Sequence, residues 1–247
     1  MSERPRVVVT RRVEQAAELA DKLRAAGLEP VVFPTVQLRP LPSHTLDDSL
    51  KNLQMFDWLI FTSGNGVDFF FRRVEELELT PKLPRTAVVG PSTARRLAEY
   101  GATADFMPEE YTGAALASAL GDLTGQHILL PRARMGGLEI VRRLWQQGAD
   151  VFDVPLYDTI TAVRDPAALA KLEQGYEAVT FASPTAVMGF AKLAGRPHAA
   201  AAVACIGPST AQTARASGLP VTIMPDEYTL DGLVKSVAHY FSVMRDA

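Results

Sequence analysis

Short apolar or β-branched runs alternate with amphipathic stretches along the chain, and the turns between them are rich in Ser, Thr, Gly and Pro. Val7-Val8-Val9 leads into Ala16-Ala17-Glu18-Leu19-Ala20-Asp21-Lys22-Leu23-Arg24-Ala25-Ala26-Gly27, where apolar residues fall at helical spacing and Gly27 is the expected stop. The strand-like Pro30-Val31-Val32-Phe33-Pro34 follows at once. Strand and helix alternating in this way predict parallel sheets with helices on both faces. Two stretches break the rhythm. Residues 35–42 and 157–163 are extended and alternating, and Pro40 and Pro42 rule out a helix in the first.

The second half of the pattern echoes the first. Gly90-Pro91-Ser92-Thr93-Ala94 recurs as Gly207-Pro208-Ser209-Thr210-Ala211, and Pro108-Glu109-Glu110-Tyr111-Thr112 as Pro225-Asp226-Glu227-Tyr228-Thr229, both displaced by 117 positions. Ile60-Phe61-Thr62-Ser63 matches Thr180-Phe181-Ala182-Ser183 at 120, and Val7-Val8-Val9-Thr10-Arg11 matches Ile128-Leu129-Leu130-Pro131-Arg132 at 121. If the two extended stretches are crossovers, the domains are not the two repeats. The expected architecture is two doubly wound, flavodoxin-like α/β domains. One holds residues 1–37 and 160–247, so that it is discontinuous, and the other holds residues 40–157. Residues 36–42 and 157–163 would pair as a two-stranded antiparallel β linker, the hinge. A sheet holding both Val7-Val8-Val9 and Val88-Val89 would refute this.

Candidate chemistry gathers in the strand-to-helix turns: Thr10-Arg11-Arg12, Thr62-Ser63-Gly64-Asn65-Gly66, Gly90-Pro91-Ser92-Thr93, residues 132–137, Ser183-Pro184-Thr185 and Gly207-Pro208-Ser209-Thr210. In parallel sheets the ligand crevice lies beyond the carboxyl ends of the strands, where such turns converge. Ser, Thr or Asn caps the helix and the free first-turn N–H groups suit an anion. Six such turns predict a cleft for a ligand with several negative groups. Arg11, Arg12, Arg132 and Arg134 follow equivalent strands, where a guanidinium fork could meet a carboxylate. No Gly-x-x-x-x-Gly-Lys-Ser/Thr and no Gly-x-Gly-x-x-Gly occurs, so a nucleotide has little support. Gly-x-Ser-x-Gly is absent as well, and no His stands near a candidate Ser. If the chain is an enzyme, it works mainly by shaping a reactive substrate, with one proton donor at most. Tyr157 is the candidate, because a phenol keeps its proton at neutral pH and can donate it.

Charge and composition narrow the partners. With 25 Lys+Arg against 28 Asp+Glu the net charge is −3 and 47% of residues are hydrophobic, an ordinary globular balance with no long-range attraction for nucleic acid or an acidic membrane. No apolar run approaches bilayer length, and the opening residues 1–6 run into Val7 without a signal core, which predicts a cytoplasmic protein. The single cysteine, Cys205, lies in an apolar run and reads as a buried strand thiol. The four histidines are scattered, so no metal site is expected.

Several of these motifs together resemble the uroporphyrinogen-III synthases: Val9-Thr10-Arg11, Phe33-Pro34, Phe61-Thr62-Ser63-x-Asn65-Gly66-Val67, Val89-Gly90-x-x-Thr93-Ala94, Pro155-Leu156-Tyr157-Asp158-Thr159, Phe181-x-Ser183-x-Thr185-Ala186-Val187 and Ile206-Gly207-x-x-Thr210-Ala211. Each is weak alone, but they run in family order across nearly the whole chain. The resemblance implies two α/β domains on an antiparallel ladder and a substrate, hydroxymethylbilane, that is a linear tetrapyrrole with eight carboxylates. It implies loss of water from ring A, attack by ring D through its substituted carbon, a spiro intermediate, and uroporphyrinogen III as product.

Carried over, Tyr157 is the tyrosine that assists departure of the hydroxyl. Thr62, Ser63, Thr93, Ser183, Thr185, Gly207, Ser209 and Thr210 match turn positions that line the family's cleft, and with Thr10, Arg11, Asn65, Gly90 and Arg132, read from the turns themselves, they make up the expected substrate-binding set. Ala182 stands where the first half has Thr62, one hydroxyl fewer. No cofactor and no metal are implied. The expected state is a monomer whose partner is the tetrapyrrole, with transient contact to the preceding pathway enzyme admitted. Two readings compete: a non-catalytic two-domain binder of a polycarboxylate, and a doubly wound regulatory pair. A phosphorelay receiver fits poorly, since no strand ends in an acceptor Asp backed by an acidic pair.

Overall fold

The apolar runs become strands and the amphipathic stretches helices, in the computed structural model that describes residues 4–245. The opening without a signal core lies partly outside the described residues. The chain runs β1 (Arg6–Val9), α1 (Val13–Ala25), β2 (Glu29–Val32), β3 (Val36–Pro40), α2 (His44–Lys51), β4 (Trp58–Phe61), α3 (Gly64–Glu76), β5 (Arg85–Val88), α4 (Pro91–Glu99), α5 (Gly113–Ala119), β6 (His127–Ala133), α6 (Glu139–Gln146), β7 (Asp150–Thr161), α7 (Pro166–Glu173), β8 (Ala178–Phe181), α8 (Pro184–Ala194), β9 (Ala202–Cys205), α9 (Pro208–Ala216) and α10 (Leu230–Arg245). Gly27, just past α1, takes φ 79°, the left-handed turn that glycine adopts without steric cost.

The described residues separate into two compact units. Unit 1 comprises those up to Gln37 with those from Ile160 onward, and unit 2 is Leu38–Thr159. The sheet of unit 1 has the order β2-β1-β8-β9, every pair parallel. Alternate residues of a strand face opposite ways, so both faces need cover. Val8, Val179, Phe181 and Val203 pack with Ala168 of α7 and Phe190 of α8. Val7, Val9, Ala178 and Ala202 pack the other face with Leu19 of α1 and Leu233 of α10.

In unit 2 the parallel order is β7-β6-β4-β5, with β3 beyond β7. Leu59, Phe61 and Leu129 meet Phe70 of α3 and Leu97 of α4, while Trp58, Ile60 and Ile128 meet Leu116 of α5 and Leu144 of α6. The doubly wound class expected from the alternation is the one observed.

Single parallel bridges extend each sheet in the same way, Ala87 to Phe106 and Ala204 to Ile223. These pairs stand 117 positions apart, like the repeated turns. Placed by repeat, β6 answers to β1, β7 to β2, β8 to β4 and β9 to β5. Each sheet therefore takes its first two strands from one half of the sequence and the rest from the other, in one common order. This exchange follows from the two crossovers.

The crossover strands run antiparallel: the Leu41 N–H donates to Leu156 O in unit 2, and the Ala162 N–H to Thr35 O in unit 1. The second crossover is not the separate link expected over residues 157–163. It is the continuation of β7, whose residues from Asp150 onward already pair with β6.

Candidate functional site

Pro155 lies within β7 and has no N–H to give the ladder. The register with β6 shifts there: Arg132 pairs with Pro155 but Ala133 with Tyr157, leaving Leu156 as the extra residue of a bulge. The slip changes which face Tyr157 meets. Leu156 and Tyr157, adjacent in sequence, consequently join one core, with Val154.

Tyr157 is only 4% exposed. Its ring stacks on Phe69 of α3, centroids 4.7 Å apart at 16°. Its hydroxyl stands 3.2 Å from Ser63 Oγ, a hydroxyl–hydroxyl hydrogen bond. Ser63 is extended at φ −161°, ψ 155° and caps α3, its Oγ accepting the Gly66 N–H at 3.2 Å. A phenol is thus held by stacking and by one hydroxyl at the turn after β4.

Arg132, on the adjacent strand β6, is not the open fork expected from the sequence. The residue is 4% exposed; Nε and Nη2 donate to Asp153 Oδ1 and Oδ2, both at 2.6 Å, and Nη1 donates to the carbonyls of Ala133 at 3.0 Å and Gly136 at 3.1 Å. Such a bidentate, largely desolvated pair is not released without leaving a charge unpaired, at a cost of ~3–5 kcal/mol for a fully buried pair. Arg132 is therefore the clamp of the turn at residues 133–136. A Cβ at Gly136 would come within 2.9 Å of Nη1. The clamp and Thr62 line a cavity of ≈ 230 Å³ with Thr112, Gly113 and Ile140, at the carboxyl ends of β4 and β6. The reversal of strand order falls between those two strands, the usual ligand position in such sheets.

The remaining turn arginines are also paired. Arg11 meets Glu18 at 3.2 Å, Arg12 meets Glu14 at 3.5 Å and Arg134 meets Asp158 at 3.3 Å. Glu18 is 59% exposed, so its pair is worth at most ~1 kcal/mol and is exchangeable for a ligand carboxylate.

In unit 1 Thr10 is not at a ligand surface. It is fully buried, its Oγ1 donating to Thr180 O at 2.6 Å, while the single Thr35 hydroxyl proton is shared between Thr10 O at 3.1 Å and Ala186 O at 3.0 Å. The hydroxyl locks β1 to β8, a use that a threonine at a strand end does not advertise. Ser183 caps α8, accepting the Ala186 N–H at 3.2 Å, and lies 2.9 Å from Thr185 Oγ1.

The two Gly-Pro-Ser-Thr turns depart from the expected serine or threonine caps. Gly90 and Gly207 occupy the cap position, with Pro91 and Pro208 starting α4 and α9. Glycine leaves room there: a Cβ would stand 3.2 Å from Tyr111 Cβ at the one and 3.3 Å from Tyr228 Cγ at the other, close enough that the ring would have to shift. Thr93 and Thr210 are buried in the first helical turns, Ser209 is exposed, and Thr62 and Asn65 are half-buried at the start of α3.

Sequence reading missed Asp153 and Phe69. A lone acid in the strand-like run Val151-Phe152-Asp153-Val154 hints at a buried partner. Phe69 sits in Phe69-Phe70-Phe71, three successive helix positions of which only Phe70 is fully buried, while the flanking two pack against the same core from its edge.

Cys205 is buried in β9, and burial pushes its thiol up to about 11. Among the described residues no group of three His, Cys, Asp or Glu could hold a metal ion, and no helix is long and apolar enough to cross a membrane.

Duplicated α/β sheets with exchanged strands, each with polar helix starts beyond its strand ends, define the class: a two-unit, doubly wound α/β protein. Comparison with known proteins narrows it. Residues 17–235 match the family model described as uroporphyrinogen-III synthase HemD. The chain is 32% identical over 249 residues to the uroporphyrinogen-III synthase of Synechococcus elongatus, covering 95% of this chain and 94% of the relative.

Solved structures share the fold. The Helicobacter pylori uroporphyrinogen-III synthetase has a TM-score of 0.67 and a mutant uroporphyrinogen III synthase from Thermus thermophilus one of 0.63, each 18% identical and covering 98% of this chain and 100% of the other. The chain belongs to the uroporphyrinogen-III synthase family, and it is an enzyme of tetrapyrrole biosynthesis.

Proposed function

We propose that this chain converts hydroxymethylbilane to uroporphyrinogen III, and that its two compact units are the two domains of a cytoplasmic monomer. The observation that carries the reading is the Tyr157 phenol, fixed between Phe69 and Ser63 at the turn after β4.

The reaction needs one proton delivered to the hydroxymethyl group of ring A so that water leaves and an electrophilic azafulvene remains. Tyr157 donates it. Ring D then attacks through its substituted carbon, and the spiro intermediate fragments and recloses with ring D inverted, for a net loss of one water. Spontaneous closure at the unsubstituted carbon gives the other isomer, so the protein must favour one folding of the chain over another.

Within unit 2, the helix starts at Ser63 and Gly90 suit carboxylates of the substrate. Arg132 acts at one remove, by holding the turn beside Thr62. The test is a coupled assay in which the product is oxidised and its isomers are separated. Enrichment of the type III isomer above the spontaneous mixture is the expected result. Substrate recovered at the spontaneous rate and isomer ratio would leave a non-catalytic binder.

A further inference from the structure

Two charged residues are buried among the described ones, Arg132 and Asp158. Arg132 holds the turn after β6. Asp158, 7% exposed, follows Tyr157 on β7, while the phenol's own hydrogen bond and ring stack go elsewhere, to Ser63 and Phe69. A buried ion pair seldom outdoes an apolar pair of the same volume in stability, and the best-attested use of a buried charge is to fix one register against another.

The partners of Asp158 come from both sides of the strand. Arg39 Nη2 of β3 donates to its Oδ2 at 3.3 Å, and Arg134 Nη1, from the turn after β6, lies 3.3 Å from the same oxygen. The backbone is gripped at the same level: the Leu41 N–H donates to Leu156 O at 2.8 Å and the Arg134 N–H to Tyr157 O at 2.9 Å. Ladder pairing with β6 ends at Ala133 and Tyr157, so the two arginines hold the strand just past its last paired residue. Both arginine side chains are more than half exposed, and pairs of that kind add little stability.

The bulge gives the charge its use. Val154, Leu156 and Tyr157 all face the core that holds Leu59, Phe61 and Phe70. Strict alternation from Val154 would send Leu156 and Asp158 to that core and Tyr157 to the opposite face. The extra residue at Leu156 reverses the last two. In a regular ladder the Asp158 carboxylate would enter the apolar core and leave both arginines on the far side of the strand, a buried charge without a partner. The acid thus penalises the regular register and favours the bulged one. Leucine at the same position would fit the regular register instead.

We infer that Asp158 is a positioning residue: its charge, met by Arg39 and Arg134, selects the bulged register and so keeps the Tyr157 phenol on the side of Phe69 and Ser63. The inference rests on Tyr157 as the proton donor proposed above, and names what decides the face that donor meets. Arg39, Arg134 and Asp158 all belong to unit 2.

The experiment compares wild type with Asp158→Leu, Asp158→Asn, Asp158→Glu and the double variant of Arg39→Gln with Arg134→Gln. It reads kcat and KM for isomer III formation, the urea midpoint, and the fluorine NMR signal of Tyr157 in fluorotyrosine-labelled protein, assigned by its loss in Tyr157→Phe. Asp158→Leu is expected to lower kcat about 100-fold, as for a misplaced general acid, to shift the Tyr157 signal, and to leave the urea midpoint at or above that of wild type. Asp158→Asn and the arginine double variant should each lower kcat about 10-fold and shift the same signal. Asp158→Glu keeps the charge and should stay within about 3-fold of wild type, and KM should stay within about 2-fold throughout, since no ground-state contact is removed. An acid with a merely structural role would lose stability on becoming leucine and leave the folded fraction fully active.

An unmoved Tyr157 signal in Asp158→Leu, or a wild-type kcat there, overturns the inference and leaves the proposed reaction standing. If Asp158→Leu does not fold, Asp158→Asn and the arginine double variant decide in its place: a moved signal with lowered kcat supports the inference, and an unmoved signal in both overturns it. A wild type that gives no type III enrichment, while the Tyr157 signal still moves in Asp158→Leu, overturns the reaction and keeps Asp158 as the residue that places the phenol.

Discussion

The starts of α3 and α8 are the same place in the two repeats, built to opposite ends. Ser63 and Ser183 have one backbone conformation, φ −161° and ψ 155°, and both cap their helices. Six residues on, the paths divide. In unit 1 the position is Gly189, where a Cβ would stand 2.3 Å from the Thr35 carbonyl oxygen, and Thr35 Oγ1 is itself tied to Ala186 O. In unit 2 it is Phe69, stacked on Tyr157, whose hydroxyl reaches the cap serine. Unit 1 closes the space with backbone and unit 2 holds it open for a phenol. One scaffold, duplicated, has thus become a backbone clasp in one copy and the mount of a buried phenol in the other. The glycine or phenylalanine on the helix decides which.

The largest effect expected from breaking this difference is on turnover. Tyr157→Phe keeps the stack and removes the proton, so kcat should fall ~100-fold, or ~2.7 kcal/mol, with KM within about 2-fold. Steady-state assays of isomer III formation read this, and a wild-type kcat would reduce Tyr157 to packing for Phe69. Gly189→Ala should cost ~2–3 kcal/mol, because the new methyl meets a backbone carbonyl that cannot retreat without moving the crossover strand. A urea midpoint unchanged by the substitution would show that α8 and Thr35 are not clasped.

The cap serines sharpen the contrast. Ser63→Ala and Ser183→Ala should each lose ~1 kcal/mol of stability from the cap, but only Ser63→Ala should lower kcat, by releasing the phenol. Equal kcat in the two variants would erase the distinction between the units.

The smallest effect concerns the brace of α3. Asp47 of α2 receives Arg73 Nε at 2.7 Å and Nη2 at 2.8 Å, and these hydrogen bonds hold its carboxyl below the usual carboxylate range. A carboxyl lowered in the folded state adds stability above its unfolded value, near pH ~4, and loses it as the pH falls through the lowered folded value. Arg73 is 36% exposed, so water screens the pair. Asp47→Asn should flatten the acid limb of the stability curve by only ~0.5 kcal/mol, measured by urea titration from neutral pH down to pH ~3.

Much of the scaffold was legible in the residues. The valine and isoleucine runs, the Gly27 stop and the serine caps at 63 and 183 declare themselves because each depends on neighbours within a few positions. The repeat at 117 positions was equally plain. Arg132 was misread for the opposite reason. Its Asp153 partner is 21 residues away on the adjacent strand, and only the β6–β7 register brings the two together. Thr10 looked like a turn hydroxyl but lies inside the sheet, since the β1–β8 pairing places Thr180 O against it. The Gly-Pro-Ser-Thr caps were assigned to the hydroxyl residues because nothing local reveals the tyrosine that lies against each glycine.

By itself, then, the sequence determined the doubly wound class, the duplication and the antiparallel crossovers, all carried by periodicity, capping chemistry and motif order. Tertiary structure alone decided what those residues face. A bulge at Leu156 turns Tyr157 onto Phe69 and Ser63, and an acid on the next strand takes up the Arg132 fork. Hydrogen bonds within a helix turn are local and can be read along the chain. Strand register is not local, and a shift of one residue changes the face that every later side chain meets.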